Sequence, residues 1–209
     1  MNSNAIPTMY LWRKLNENQR EELLEFRRFN DRPWHSPQHR ANQNGRYLLT
    51  AACYEHRHVI GQKPERMADF CDRLLKVLEA DCDEVYAWCV LPNHYHTLVL
   101  TRKLPALFHG VGLLHGRTAF NWNGADNERG RKVWFNCAET GMKSDRHFWA
   151  TLNYVHHNPV HHGYVQQWQD WPFSSGGSFI EQCGRKQAEK IWREYPVGEY
   201  GTNWDPPEL

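Results

Sequence analysis

The chain has 209 residues, of which 40% are hydrophobic and 13% aromatic, enough to build the core of one moderate domain with extensions. Its formal net charge of +1 lacks the overall basic excess of many nucleic-acid-binding proteins. No apolar run approaches the length of a membrane span, and the N-terminus lacks a signal-peptide pattern, so we expect a cytoplasmic protein. In that reducing compartment, six cysteines without a C-x-x-C pair are expected to be free thiols.

The N-terminal segment, residues 1–45, is predicted to be a basic helical extension. Residues 16–30 have the charged amphipathic pattern of a helix, and residues 31–45 carry the prolines and polar amides of an irregular connector. Residues 11–46 hold eight Arg and Lys against five Asp and Glu. On charge alone, this excess is more typical of an ordinary solvated surface than of a site for a polyanion.

The core, residues 46–165, is predicted to alternate strands and helices. The expected elements are a strand at 46–54, a helix at 64–80, strands at 85–91 and 94–101, a helix at 104–122, a short strand at 132–136 and a helix at 144–158 that Pro159 stops. This is the split β-α-β order of an α+β, ferredoxin-like antiparallel sheet with helices packed on one face, followed by an additional helix. Residues 166–209 are expected to form a tail that packs on the core.

Two histidines separated by one residue follow the Pro-Asn turn of the predicted hairpin. Because side chains alternate along a strand, His94 and His96 are expected to share one face and Tyr95 to lie on the other. Paired imidazoles on a rigid strand are half of a metal site, although such a pair is more often polar surface or a hydrogen-bonded pair. A weaker zinc candidate is the run of Cys53, His56 and His58, which lacks the rest of a zinc framework.

The last predicted helix supplies candidates for the other half of the site. An apolar stripe at helical spacing, formed by Phe148, Leu152 and Val155, is expected to face the sheet. Tyr154 and Asn158 are four residues apart and share a neighbouring face.

His147 falls on nearly the same line of that helix as Tyr154 and Asn158. We interpret His156 and His157 as surface residues or phosphate contacts, because adjacent residues on a helix point in different directions.

Two imidazoles and one amide oxygen suit Mg²⁺ or Mn²⁺, with Zn²⁺ possible. A metal there can polarise a phosphoryl oxygen, and a neighbouring tyrosine can attack phosphorus and become covalently attached to it. A phosphotyrosine conserves the energy of the broken bond, so the strand can be rejoined elsewhere. Taken singly, Tyr154 is more typical of a packing aromatic, and Asn158 of a helix end before proline.

Three motifs together resemble a known family. Residues 92–96, PNHYH, are similar to the HUH motif of single-strand DNA endonucleases and transposases. Residues 154–160, YVHHNPV, followed by Gly163, resemble the tyrosine motif of the REP-associated tyrosine transposases. Residues 171–175, WPFSS, resemble the segment that closes the domain in that family, so the resemblance covers about residues 46–176. One departure is Tyr95, which stands where the family usually has an aliphatic residue.

The resemblance implies a bacterial enzyme that cuts and joins single-stranded DNA at hairpin-forming repetitive extragenic palindromes. It implies that His94, His96 and Asn158 bind the metal and that Tyr154 is the nucleophile that stays on the 5′ end. It also implies a nucleoid-associated protein, a monomer more often than a dimer. The alternatives are a hairpin-binding protein that does not cut, which would not need all four residues, and a metallohydrolase in which water attacks, for which no carboxylate base is evident.

The DNA-binding residues are chosen by their position around the motifs in the sequence. The candidate DNA contacts are Arg117, Arg131, Lys132, Lys143, Arg146 and His147. Trp122, Trp134 and Trp149 are candidates for stacking on unpaired bases, although core packing is the simpler interpretation for each. The basic N-terminal extension is a candidate for gripping the hairpin stem.

Overall fold

The computed structural model describes residues 16–19, 21, 22, 25 and 45–198, and the chain divides into two units, residues 1–39 and 40–209. In the first unit residues 17–19 are helical, and Asn16 caps them. The Gln19 amide donates to Asn16 Oδ1 (2.9 Å), and the Asn16 amide donates to Gln19 Oε1 (3.0 Å). This reciprocal capping box lies where the sequence predicts the helix to begin. The predicted connector lies outside the described residues, except for Gly45.

The described part of the second unit contains four strands and five α-helices. In chain order they are β1 (Arg46–Ala52), α1 (Pro64–Asp81), β2 (Glu84–Val90), β3 (His94–Leu100), α2 (Leu104–Ala125), β4 (Ala138–Gly141), α3 (Asp145–His161), α4 (Gly176–Cys183) and α5 (Arg185–Glu194). The sheet order is β2-β3-β1-β4, and every neighbouring pair is antiparallel. The predicted ferredoxin-like fold is therefore confirmed.

The two faces of the sheet are covered by different helices. One face, with Leu49, Tyr95 and Val99, packs on α1 and α2 through residues such as Phe70 and Leu107. On the other face, the stripe of Phe148, Leu152 and Val155 on α3 packs on a set that includes Leu48, Ala87 and Leu98. The additional helix thus lies opposite α1 and α2. His94 and His96 lie on the α3 side and Tyr95 on the α1 and α2 side, as strand alternation predicts.

The predicted fourth strand at residues 132–136 is wrong. The strand is Ala138–Gly141, and the aromatic run before it makes a single bridge, between Trp134 and Cys53, beyond the end of β1. The run is buried because Trp134 stacks in the core on Phe70, with ring centroids 5.2 Å apart. Because this aromatic segment is buried, its composition resembles that of a strand. The observed strand is polar and lacks the alternating hydrophobic pattern by which a strand is recognised.

The predicted end of the last helix at Asn158 is also wrong, because α3 continues through Pro159 to His161. The chain turns out of the helix at Gly163, just after the C-cap residue His162, with a φ of +73°. The Gly163 amide donates to the Val160 carbonyl (3.0 Å), and the Tyr164 amide donates to the Pro159 carbonyl (2.9 Å). These two bonds form a Schellman motif, in which glycine adopts the left-handed conformation without a Cβ penalty.

The segment after α3 runs along the edge strand β2. The Val90 amide donates to the Phe173 carbonyl (2.8 Å), and the Ser175 amide donates to the Trp88 carbonyl (3.0 Å). Trp171 Nε1 donates to the Val90 carbonyl (2.9 Å). Pairing of this kind covers backbone groups that an exposed edge strand would leave open. Among the described residues, no helix is long and apolar enough to cross a membrane.

Candidate active site

The hairpin and α3 bring His94, His96, Tyr154 and Asn158 together. His94 Nε2 lies 2.9 Å from Asn158 Oδ1, and His96 Nε2 lies 3.3 Å from the Tyr154 hydroxyl. The centroids of the two imidazoles are 5.1 Å apart. All four side chains are buried, with exposed fractions from 0% to 4%. The sequence prediction that these residues meet in space therefore agrees with the geometry, while their chemical roles stay a prediction.

Each histidine is also held at its other ring nitrogen. His96 Nδ1 lies 2.8 Å from the Thr50 hydroxyl on β1, directly across the strand pair. His94 Nδ1 lies 2.6 Å from Asn93 Oδ1. Groups of this kind orient a histidine so that its remaining nitrogen points at a fixed position. Both Nε2 atoms consequently point toward α3.

The donor set fits a divalent metal. Asn158 presents its oxygen to His94, while its Nδ2 is buried and has no hydrogen-bond partner among the described residues. Leaving an amide nitrogen unsatisfied costs free energy, which is offset if the oxygen faces a cation. Two imidazole nitrogens and one amide oxygen would leave other coordination positions open for phosphate oxygens.

No group of three or more His, Cys, Asp or Glu side chains in the described part of the chain could hold a metal ion. The zinc candidate formed by Cys53, His56 and His58 is therefore wrong. Burial raises the pKa of the Cys53 thiol to about 12, which keeps it protonated and makes it a poor ligand.

Tyr95 is excluded from the site. Its hydroxyl lies 3.1 Å from His115 Nε2 on α2, and its ring packs on Phe70 and Trp134. Burial raises the pKa of Tyr95 well above its ordinary value, which makes the phenolate inaccessible. Tyr95, which stands where the family usually has an aliphatic residue, is therefore a residue of the core.

Of the histidines outside the predicted site, His162 is the residue that sequence reasoning missed. Its ring centroid lies 4.9 Å from that of His94 in an edge-to-face contact. Because α3 continues past Pro159, His162 lies one turn beyond Asn158 and two beyond Tyr154. The four-residue spacing of the three positions would have identified it if the helix had been extended to Gly163.

His156 was predicted to be a surface residue or phosphate contact, and this is wrong. Its exposed fraction is 1%, its Nε2 lies 2.9 Å from the Ser175 hydroxyl, and its ring stacks on Trp168 with an interplanar angle of 5°. Burial lowers the pKa of His156 to about 3. It therefore joins α3 to the following segment as a neutral side chain. His157 is half-buried beside Trp192.

Three predicted DNA contacts lie at or just before the start of α3: Lys143, Arg146 and His147. An ion pair of 2.9 Å between Asp145 and Arg46 fixes this end of α3 at the start of β1. Ala52, at the opposite end of β1, pairs with His94. His147 is also about 10 Å from Tyr154 along the helix axis. The structure does not bring these three residues to the site.

The other predicted DNA contacts are divided between different regions. Lys132 is exposed, and its Nζ lies 4.7 Å from the ring centroid of Tyr54, just beyond the site end of β1. Arg131 is largely buried and paired with Asp126 (2.7 Å) and Glu128 (2.9 Å). Arg117 is exposed on α2, on the other side of the sheet.

Two of the three tryptophans, Trp122 and Trp134, are core residues, while Trp149 is half-buried. Of the six residues expected to bind DNA, Lys132 is the exposed one near the site end of the sheet.

A histidine pair on the central strand, facing a tyrosine and an amide from a helix on a ferredoxin-like sheet, is the arrangement that the HUH resemblance predicts. Two relatives that the chain resembles in sequence point to a narrower class of protein. The chain is 26% identical over 132 residues to a Haemophilus influenzae protein named as a REP-associated tyrosine transposase, covering 52% of this chain and 70% of the relative. It is 28% identical over 102 residues to the REP-associated tyrosine transposase of Escherichia coli, covering 49% of this chain and 59% of the relative.

A solved structure of a REP-associated tyrosine transposase bound to a REP hairpin has the same fold, with a TM-score of 0.52. The identity is 20%, and the match covers 78% of this chain and 89% of that one. No family model matches the chain. The comparisons confirm the resemblance drawn from the motifs, and the relatives are enzymes by name, as expected for this chain. The match spans less than two thirds of the Escherichia coli relative.

Proposed function

We propose that the protein is a metal-dependent single-strand DNA endonuclease and strand transferase that acts on hairpin-forming repetitive extragenic palindromes. The observation that carries the proposal is the convergence of two imidazole nitrogens, an amide oxygen and a phenol at one buried place. The names of the two relatives support the transposase class, and the hairpin-bound neighbour supports the choice of substrate.

In the proposed reaction, Tyr154 attacks a DNA phosphorus atom and forms a 5′-phosphotyrosine. A bond to the phenolic oxygen forms as the bond from phosphorus to the 3′ oxygen breaks. The phenol loses one proton and the departing 3′ oxygen gains one, so no further reagent is consumed. The reverse attack by another 3′ hydroxyl rejoins the strand and releases Tyr154.

The residues of the chain have distinct parts in this reaction. His94 Nε2, His96 Nε2 and Asn158 Oδ1 would hold Mg²⁺ or Mn²⁺, which when bound supplies charge stabilisation at the scissile phosphate. The Tyr154 hydroxyl lies 3.3 Å from His96 Nε2, which places the phenol beside those donors. A metal bound at Nε2 would replace that hydrogen bond and leave the phenol next to the site. A phenol has an ordinary pKa of about 10, so this neighbourhood is needed to favour its ionised form.

The test uses the purified chain, Mn²⁺ and a labelled oligonucleotide with a hairpin and a single-stranded flank. We expect a protein–DNA adduct that survives denaturing electrophoresis, is lost with EDTA and is lost in Tyr154→Phe. Tyr86→Phe is the matched control, because Tyr86 also contacts α3, through Phe148 with centroids 4.8 Å apart, but lies outside the site. Binding without an adduct would favour the non-cutting alternative, and cleavage without an adduct would favour attack by water.

A further inference from the structure

The residue before the first histidine, Asn93, connects the proposed metal site to a turn beyond the end of β1. We propose that Asn93 is a positioning residue that fixes the His94 tautomer, and that the backbone carbonyl of His56 fixes Asn93. The inference deepens the proposed function, because it rests on His94 being a metal ligand. The sequence places Asn93 in the hairpin turn and in the PNHYH segment but gives it no role of its own.

The orientation of the Asn93 amide follows from its two neighbours. Asn93 Nδ2 donates to the His56 carbonyl at 3.2 Å. A carbonyl oxygen can only accept a hydrogen bond, so the amide nitrogen must point toward it. The other end of the amide, Oδ1, therefore points toward His94, at 2.6 Å from Nδ1.

This orientation decides which nitrogen of His94 carries the proton. Asn93 Oδ1 is an acceptor, so His94 Nδ1 is the donor in the 2.6 Å contact. A neutral imidazole protonated at Nδ1 carries its lone pair on Nε2. Nε2 then directs its lone pair at Asn158 Oδ1, at 2.9 Å, and because both atoms are acceptors, a cation bound by both would stabilise this arrangement. Without a cation, the Asn158 amide can turn so that its Nδ2 donates to Nε2, which leaves His94 in the form that can bind a metal.

Burial makes this arrangement difficult to replace with water. The exposed fractions are 1% for Asn93 and 0% for His94. The Asn93 backbone is fixed as well, because its carbonyl accepts a hydrogen bond from the Cys53 amide at 2.7 Å. Asn93 is thus held both through its backbone and through its side chain. Mutation of a residue that hydrogen-bonds to a metal-binding histidine typically weakens metal affinity about 10- to 100-fold.

The turn that supplies the carbonyl is itself strained. Glu55 and His56 have φ values of 59° and 50°, in the left-handed region that non-glycine residues rarely occupy. Such residues persist where the surrounding structure over-determines them, and they concentrate at functional sites. Here the Tyr54 amide donates to the Val133 carbonyl at 2.7 Å, which fixes the start of the turn. The strained backbone aims the His56 carbonyl at Asn93.

The direct test measures the tautomer in the metal-free protein. Long-range ¹H–¹⁵N correlation spectra of the ¹⁵N-histidine-labelled chain distinguish a protonated Nδ1 from a protonated Nε2. We expect His94 to be protonated at Nδ1 in the wild type. In Asn93→Leu, which is similar in size and lacks the acceptor, we expect that preference to be lost.

Calorimetric titration with Mn²⁺ gives the second readout. Asn93→Leu is expected to bind Mn²⁺ about 10- to 100-fold more weakly. The control Asn136→Leu, at an exposed asparagine outside the site, is expected to bind it as tightly as the wild type. A His94 protonated at Nε2 in the wild type, or an Asn93→Leu protein with unchanged tautomer and affinity, would overturn the inference.

Two further comparisons keep the result interpretable. If Asn93→Leu does not fold, as judged by circular dichroism, the wild-type tautomer decides the question. If the wild type shows the expected tautomer and binds Mn²⁺ but forms no adduct with DNA, the positioning role holds and the nucleophile assignment fails.

Discussion

At the scale of single residues, the site depends on side chains whose neighbours fix their orientation. His94 and His96 are each held at Nδ1, by Asn93 and Thr50, so that both Nε2 atoms face α3. The H-x-H spacing predicts that the imidazoles share a face, because strand alternation alone determines that. It cannot predict the partners at Nδ1, because Thr50 comes from another strand and Asn93 is oriented by a carbonyl from a distant turn.

His115, outside the site, is expected to make folding dependent on pH. Its ring stacks on Trp134 with centroids 4.1 Å apart, and burial lowers its pKa from 6.5 to about 4. The unfolded chain therefore binds a proton between those values that the folded chain does not. Stability contributed by neutral His115 is present above pH 6.5 and is lost as the pH falls toward 4, by about 3 kcal/mol for a shift of that size.

Urea unfolding at pH 7.5 and 4.5 measures this effect. His115→Phe keeps an aromatic ring against Trp134 and removes the titration, so the free energy of unfolding should fall less between the two pH values than in the wild type. An identical fall in both proteins would show that other groups cause the pH dependence.

At the scale of elements, α3 determines which residues reach the site. Its apolar stripe was predictable from helical spacing, and so was the shared face of Tyr154 and Asn158. Its end was not, because Pro159 is a strong stop signal and only packing shows that the helix tolerates it. The error hid His162, whose contact with His94 depends on the extra turn.

The glycine that ends α3 gives a prediction at this scale. Gly163→Ala should lower the free energy of unfolding by about 1 kcal/mol, since alanine is disfavoured at a φ of +73°. Gly112→Ala is the matched comparison, because Gly112 lies inside α2 with open space where a Cβ would lie. It should raise stability by about 0.5–1 kcal/mol through helix propensity. Equal effects from the two substitutions would contradict the assignment of the helix end.

The start of α1 and the end of α2 are joined by buried charges. Asp126 accepts hydrogen bonds from Arg66 and Arg131, and these partners lower its pKa to about 2. Arg66 also donates to the Val59 carbonyl at 3.1 Å. This network gives Arg131 a structural role that its position in the sequence does not reveal, because its partners meet only through the packing of two helices.

Removing the shared carboxylate should be costly. Asp126→Ala leaves two largely buried guanidinium groups without the carboxylate that they share, and we expect a loss of about 3–5 kcal/mol in the free energy of unfolding. Asp69→Ala, which breaks the exposed pair with Arg73, should cost no more than about 0.5 kcal/mol. Denaturant titration compares the two, and similar losses would show that the buried network does not stabilise the fold.

At the scale of the whole molecule, one face of the sheet packs in the larger hydrophobic core and the other face carries the proposed site. The side with α1 and α2 holds Tyr95 and the larger aromatic cluster, while the side with α3 holds the four proposed site residues. The element order predicted this fold because a strand-helix-strand pattern repeated twice has few compact arrangements. The fourth strand was misplaced because Trp134 and its neighbours are buried by helices, whereas the true strand is polar.

The predicted DNA contacts are the part of the site that agrees least with the structure. The five Arg and Lys residues and His147 were chosen because they are close to the motifs in the sequence. The fold distributes them over the start of α3, the exposed side of α2 and the site end of β1. The proposed site follows largely from short-range periodicity, whereas a DNA-binding surface depends on segments that are distant in the chain.

The measurement that tests the central claim most directly is peptide mapping of the protein–DNA adduct. After incubation with Mn²⁺ and the hairpin oligonucleotide, nuclease and protease digestion leaves a short nucleotide on the modified peptide, and tandem mass spectrometry locates it. The account predicts a nucleotide attached to Tyr154 through its phenolic oxygen. A nucleotide on any other residue, such as Tyr95 or Tyr164, would contradict it, as would cleaved DNA with no modified peptide.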